Sequence, residues 1–426
     1  MMKIITDTLE NQLQQVSQRT AGLTDPEIEQ RVRAIIENVQ KNGDDAVRDY
    51  EKQFDQVDLT QFRLDDATID AAYENLDPDL KEALEVAKAN ITSFHKKEIE
   101  YGFVDAEKPG VIRGQKVIPL ATVGLYVPGG TAAYPSSVLM NAVPAKLAGV
   151  NRLVMVTPPQ KDGINPAVLA AAKIAGVDDV FQLGGAQAIA ALAYGTQSVP
   201  RVDKILGPGN IYVATAKKMV FGQVAIDMIA GPSEIGIIAD ESAKPKQIAA
   251  DLLSQAEHDK RARPILVTNS EQLAQAVSAE VETQLQTLPR EEIARTAVEE
   301  QGFIAVLPTI DDLFTLMNAI APEHLEVQLP NPTDYLSQIK NAGSVFLGQY
   351  ASEPLGDYVA GPNHILPTSG TARFSSPVGV YDFVKRTQFI QYTGAALAQE
   401  AQYVTKLARV EGLEGHARAI EAREEN

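Results

Sequence analysis

The chain contains no cysteine in 426 residues. That absence excludes disulfide scaffolds, thiolate-bound zinc and cysteine nucleophiles, so any metal must be held by nitrogen and oxygen ligands. Long apolar runs are missing too. None approaches the roughly 20 residues that span a bilayer, and the N-terminal MMKIITDTLENQ turns acidic and polar too early for a secretion signal. A cytoplasmic protein with no membrane partner is expected. Positive charge is in deficit: 38 basic against 56 acidic side chains give a net charge of -18. Such a field repels nucleic acid unless a local basic patch intervenes. The basic clusters, such as Lys217-Lys218 and Lys260-Arg261, are short, so no nucleic-acid partner is expected. No repeat of fixed period runs through the chain, which argues against a solenoid.

What is present is an ordinary globular composition, 45% hydrophobic and 22% charged, in a chain long enough for about two or three domains. The N-terminal third reads as helical. Asp25 caps a helix that starts at Pro26, Ile28, Val32, Ile35, Ile36 and Val39 form its apolar stripe, and Gly43 supplies a stop. A second amphipathic pattern runs near Leu80–Phe94. From about Val117, β-branched runs alternate with alanine-rich stretches. Strands are expected at Val123–Val127, Leu153–Thr157, Val180–Leu183, Lys204–Leu206 and Val224–Met228. Helices fall between them at Ser137–Leu147, Pro166–Ala175, Ala186–Tyr194 and Ile211–Val220. Further strands follow at Ile235–Ala239, Ile265–Thr268, Phe303–Leu307 and Ser344–Leu347, with an amphipathic helix at about 246–258.

Strand–helix alternation with short connections predicts parallel βαβ units. The fold class is therefore α/β, with two Rossmann-like parallel-sheet lobes, one inserted in the other. After Pro377 the alternation fails, and Ala395–Glu424 reads as helices interrupted at Gly412 and Gly415. The expected division is a helical segment at 1–23, a first lobe from 24–125 and 235–377, a second lobe at 126–234, and a C-terminal helical arm at 378–426.

Glycine-rich turns sit where strands hand over to helices: Val127–Gly130, Leu183–Gln187 and Gly207–Asn210. Turns of this kind let a nucleotide approach the backbone at strand C-termini. None fits the G-x-G-x-x-G pattern, and tight βα turns use glycine for positive φ with or without a ligand. The five histidines can be weighed one at a time. His95, in SFHKKE, reads as a solvated helical residue, and His364, in GPNHILPTSG, as a loop residue with a structural hydrogen bond. His258 ends the amphipathic helix three residues after Gln255, so the two project from neighbouring positions on one face. A helix dipole alone also favours histidine there. Glu323-His324 sets an acid beside an imidazole, a combination suited to proton transfer, or simply a helix start with its acid in the first turn. Asp357 fits a turn or cap, and His416, preceded by Glu411, fits a solvated helix. Taken singly, each of these is explained by structure alone.

Taken together they are not ordinary. VGLYVPGGTAAYPSSVLMNAVPAKLAG, GGAQAIAALAYGT, VDKILGPGN, AGPSE, LLSQAEHD, APEHLEV, GDYVAGPNHILPTSG and EGLEGHARA stand in the order seen in histidinol dehydrogenase, which the chain resembles over essentially its whole length. The resemblance implies that Gln255, His258, Asp357 and His416 bind zinc, one ion per subunit. It implies that Glu323 and His324 are the acid–base pair, and that Ser233 and Glu411 bind substrate together with Glu323, His324 and the zinc ligands. Tyr126, Gln187 and Asn210 would contact NAD in the second lobe, and the first lobe would carry most metal and catalytic residues. The family is an intertwined homodimer, so Glu411 and His416 would reach the site from the partner's exchanged arm.

The implied reaction oxidises L-histidinol to L-histidine through the aldehyde, with hydride passing to NAD+ twice. Zinc is redox-inert and would serve as an orienting template. Without cysteine, no thiohemiacetal forms, so the aldehyde must be oxidised as its hydrate. His324 would act as base in both steps and Glu323 would help activate the water. Two rival readings are a zinc hydrolase that uses Glu323 to activate a metal-bound water, and a non-catalytic protein that retains the fold.

Overall fold

The structure, a computed structural model, describes residues 1–17, 25–129, 133–229 and 231–424. It divides into two compact units: Met1–Glu98 with Ala121–Phe383, and Ile99–Leu120 with Val384–Asn426. Among the described residues no helix is long and apolar enough to cross a membrane.

The first unit holds two wholly parallel sheets with helices packed on them, the α/β architecture that the alternation predicts. The larger sheet has six strands in the order Lys3–Ile5, Phe303–Val306, Arg263–Thr268, Glu234–Ala239, His324–Gln328 and Ser344–Leu347. The smaller has five, ordered Asp179–Gln182, Arg152–Thr157, Thr122–Tyr126, Lys204–Leu206 and Ala225–Ile226. Parallel sheets are covered on both faces, so their strands read as continuous apolar runs. Glu234–Ala239 is buried at every position. Its Ile235 and Ile237 join Ile248, Leu252 and Val277 on one face, while Ile238 joins Leu313 and Met317 on the other. Each such side chain, fully buried, contributes about 1.5–3 kcal/mol.

The helix Pro26–Asn42 forms as its sequence dictates. The Asp25 side chain accepts from Glu27 N–H, Pro26 occupies the first turn, and the chain leaves through Gly43 at φ 56°. Its stripe Val32, Ile35, Ile36 and Val39 packs with Leu192, Val213 and Val220 of the smaller sheet's lobe. In the N-terminal segment, Leu9–Ser17 is helical behind the Lys3–Ile5 strand, and 18–24 lie outside the described residues.

The second unit departs from the helical reading of the C-terminus. Val384–Tyr392 is a strand, paired antiparallel with Val111–Pro119, which also pairs with Phe103–Asp105. Most of Val384–Tyr392 is exposed, so it lacks the apolar run that marks a buried strand. Helices Gly394–Val410 and Glu414–Glu421 follow, broken at Gly412, where φ is 77°. Gly415 breaks nothing, because it sits in the first turn of the last helix.

Candidate active site

The Glu323-His324 pair is placed by a strand and not by a helix start. His324 opens the strand His324–Gln328, which lies between Glu234–Ala239 and Ser344–Leu347 in the larger sheet. Alternation sends Leu325 and Val327 into the apolar cluster and leaves His324, Glu326 and Gln328 on the opposite face. The pattern HLEVQL has the period of two that marks a strand. The chain enters the strand through Ala321, a non-glycine residue at φ 50°.

The environment fixes the chemistry of His324. The ring is 4% exposed, and Nδ1 donates to the Glu234 carbonyl at 3.0 Å. That bond assigns the proton to Nδ1 and leaves Nε2 as a lone-pair acceptor, the form a general base needs. Nε2 is buried and makes no hydrogen bond among the described residues. It lies 3.7 Å from Glu353 Oε1 and 3.8 Å from Asp357 Oδ1. Burial holds the imidazole pKa below its ordinary value, with the Glu353 carboxylate acting in the opposite direction. Glu323 Oε2 accepts from the Glu234 backbone N–H at 2.8 Å and lies 3.6 Å from His324 Nδ1. Burial raises the Glu323 pKa well above the usual carboxylate range. Ser233 precedes Glu234, and its carbonyl accepts from Arg263 N–H at 2.9 Å.

Carboxyl groups crowd the same face. Glu326 accepts from the Glu353 backbone N–H at 2.9 Å and from Gln328 Nε2 at 3.0 Å. Asp251 accepts from the Ser352 hydroxyl at 2.7 Å, and Ser254 donates to Glu353 Oε2 at 3.1 Å. Burial raises the pKa values of Glu326 and Asp251, and it pushes Asp357 up to about 9, with the neighbouring Glu353 adding to the rise. Acids packed together in a dry site hold protons unless a cation replaces them.

His324, Glu353 and Asp357 can each offer a ligand atom, and these atoms lie within 4.8 Å of one another. Asp357 is the one member of this group in the expected zinc set. It shares the spot with the orphaned His324 Nε2, expected as the base, and Glu353 Oε1, and this nitrogen and oxygen environment without sulfur fits a divalent cation such as zinc.

Two more expected residues come from one helix and the turn that follows it. The helix Pro245–Ala256 buries Gln255 in its last turn. His258 lies just beyond the helix end, in a turn where its N–H meets the Gln255 carbonyl at 3.2 Å, so the shared helical face does not extend to it. His258 is exposed, and its influence on His324 and His364 is a minor one that lowers their pKa values. His364 is half-buried and makes the structural contacts expected of a loop residue, with Nδ1 donating to the Asp357 carbonyl at 2.9 Å and Nε2 at 3.2 Å from the Ser137 hydroxyl. Burial lowers its pKa to about 4. His95 is not solvated: it is fully buried, with Nδ1 2.7 Å from Glu98. Glu411 and His416 belong to the second unit, where Glu411 caps Gly394–Val410, His416 stands early in Glu414–Glu421, and both are exposed.

The smaller sheet carries the glycine turns. Its connections run from Thr122–Tyr126 outward to Asp179–Gln182 and then return to Lys204–Leu206, so strand order reverses beside Tyr126. Crevices at such reversals, outside strand C-termini, receive nucleotides. Tyr126 is buried, its hydroxyl accepts from Gly185 N–H at 3.2 Å, and burial pushes its pKa upward. Gln187 is 1% exposed and donates through Nε2 to Glu51 at 3.0 Å. Asn210 caps Ile211–Val220, accepting from Tyr212 and Val213 N–H. A Cβ on Gly207, at φ 112°, would stand 2.0 Å from the Tyr126 carbonyl, so only glycine fits there. A buried ion pair of Lys217 and Asp227 holds this turn: Lys217 Nζ donates to the Gly207 carbonyl at 2.8 Å, and Asp227 accepts from Gly207 N–H at 2.8 Å. In the Val127–Gly130 turn, Gly130 is outside the described residues.

The structure thus gathers Glu323, His324 and Asp357, and separately Tyr126 and Gln187 with the Gly184-Gly185 turn. Glu353, Glu326, Asp251 and Glu51 were not anticipated, and only the alternation in HLEVQL signalled a polar strand face.

Known proteins provide an independent comparison. The family profile described as histidinol dehydrogenase matches residues 18–424. A histidinol dehydrogenase of Lactiplantibacillus plantarum is 72% identical over 422 residues, covering 99% of each chain. One from Listeria monocytogenes is 59% identical over 427 residues, covering 100% of both. The crystal structure of histidinol dehydrogenase from Elizabethkingia anophelis superposes with a TM-score of 0.94 at 38% identity, covering 99% of this chain and 98% of the other.

Proposed function

The chain belongs to the histidinol dehydrogenase family, and on that premise we propose that it oxidises L-histidinol to L-histidine through the aldehyde, the last steps of histidine biosynthesis, in the cytoplasm. The observation that carries the reading is the fixed, orphaned Nε2 of His324 beside Glu353 and Asp357. When bound, zinc would orient the amino alcohol, and NAD would accept one hydride in each of the two oxidations. Gln255, His258 and Asp357 would hold the metal, with His416 supplied by a second copy of the chain.

His324 Nε2 takes the hydroxyl proton of histidinol as the carbinol C–H leaves as hydride, giving the aldehyde. The Nδ1–H bond to the Glu234 carbonyl stabilises the imidazolium that forms. Water then adds to the aldehyde, and Glu323 assists by exchanging a proton with it. Once the imidazolium has released its first proton to solvent, His324 removes a hydroxyl proton from the hydrate as the second hydride departs, and the carboxylic acid ionises on release. Four electrons leave in two pairs, matching two nicotinamides. Such a base contributes on the order of 10²–10⁴-fold, and retaining the aldehyde between steps adds a proximity term. Ser233 and the partner's Glu411 would bind substrate, while Tyr126, Gln187 and Asn210 would contact the dinucleotide. The 378–426 arm would be exchanged in a homodimer with shared sites.

The test is direct. Zinc-loaded protein given histidinol and NAD should produce NADH, read by absorbance. No rise under those conditions would overturn the assignment.

A further inference from the structure

A short π-helical turn, Glu51–Asp55, follows the helix Asp44–Tyr50 in the first unit. Helices adopt this wider winding rarely, and often where it places a functional side chain. Here Glu51 enters the smaller sheet's lobe and is fully buried. Its Oε1 accepts from Gly184 N–H at 3.1 Å and from Gln187 Nε2 at 3.0 Å. Gly184 is the cap of the helix Gly185–Tyr194, and the next N–H, of Gly185, donates to the Tyr126 hydroxyl at 3.2 Å. One carboxyl oxygen therefore ties a backbone turn to the side-chain amide that follows it.

The amide's orientation follows from this contact. An oxygen that accepts from Gly184 N–H can take only the NH₂ end of Gln187, so the amide cannot flip. Gln187 Oε1 is then turned away from Glu51, buried and without a hydrogen bond among the described residues. It is an acceptor awaiting an N–H donor. Nicotinamide and adenine each carry one, as a carboxamide and an amino group.

Glu51 Oε2 is also buried without a donor, and the Asp55 carboxyl is its interacting neighbour. Two carboxyls can satisfy one another only by holding a proton between them. Burial accordingly pushes Glu51 up to about 8 and raises Asp55.

We infer that Glu51 is a positioning residue for the dinucleotide: by fixing the Gln187 amide and the Gly184-Gly185 turn, it presents Gln187 Oε1 as an acceptor for an N–H of the ligand. The inference rests on placing NAD in the crevice beside Tyr126. Its role requires an acceptor at the Glu51 Oε1 position and does not require a negative charge.

Two substitutions separate these requirements. Glu51→Gln is isosteric, keeps the acceptor oxygen and supplies an N–H to Asp55, so the Michaelis constant for NAD should stay within about twofold of wild type. Glu51→Asp is one methylene too short to reach both partners. It should raise the Michaelis constant for NAD about tenfold, equivalent to about 1.4 kcal/mol, with kcat and the Michaelis constant for histidinol little changed. Equal impairment by both variants, no effect of the shorter one, or an equal rise for histidinol would overturn the inference. Glu51→Gln keeps the proposal refutable if the shorter variant folds poorly. Gln187→Leu serves as the control. If it leaves NAD use unchanged, the placement of the crevice fails and this inference fails with it; if it impairs NAD use while Glu51→Asp does not, the inference alone fails.

Discussion

Replacing His324 with asparagine separates its two nitrogens. The introduced carboxamide can still donate to the Glu234 carbonyl, which Nδ1 now does at 3.0 Å, so the strand and its neighbours should hold. What it lacks is an acceptor at the position of Nε2, the atom facing Glu353 and Asp357 at 3.7 and 3.8 Å. A positioned base contributes about 10²–10⁴-fold, which corresponds to about 3–5 kcal/mol of barrier. The same base serves both oxidations in the proposed mechanism, so His324→Asn should lower kcat by that factor whether histidinol or the aldehyde is supplied. The assay is NADH formation from each substrate, alongside zinc content and a thermal melt. A loss below about tenfold with either substrate would refute the assignment. Loss of zinc together with activity would make His324 a ligand and not the base.

Three further outcomes are expected. Lys217→Met should destabilise the protein by about 3–5 kcal/mol in a denaturant titration, because Asp227 is left buried and unpaired; a cost under about 1 kcal/mol would contradict a buried charge pair under the Gly207 turn. Chelation should abolish activity, zinc should restore it, and a zinc excess of about 100-fold over Kd should add about 2.7 kcal/mol to stability; unchanged activity after chelation would rule out the metal's role. Mixing inactive His416→Ala with inactive His324→Asn under subunit exchange should restore about a quarter of the sites, the fraction expected for random symmetric dimers, and no recovery with exchange confirmed would exclude a shared site.

The buried parallel strands were legible because covering both faces makes them apolar runs: Lys204–Leu206 begins and ends where the sequence places it. His324–Gln328 was hidden because three of its five residues are polar and serve the site. Val384–Tyr392 was hidden because its partner strand, Val111–Pro119, is distant in sequence and its own side chains are mostly exposed. Within the site, Glu323-His324 and Asp357 stood in recognisable segments. Glu353, Glu326, Asp251 and Glu51 are single acids, and in sequence a buried acid cannot be told from a solvated one. Only tertiary packing, which removes water from some carboxyls and not others, makes the difference.

The most direct measurement of the central claim is the stoichiometry of the complete reaction. With zinc-loaded protein and excess NAD, two NADH should form for each histidinol consumed, with histidine as the product and no free aldehyde accumulating. One NADH per histidinol with aldehyde released, or no NADH at all, would contradict it.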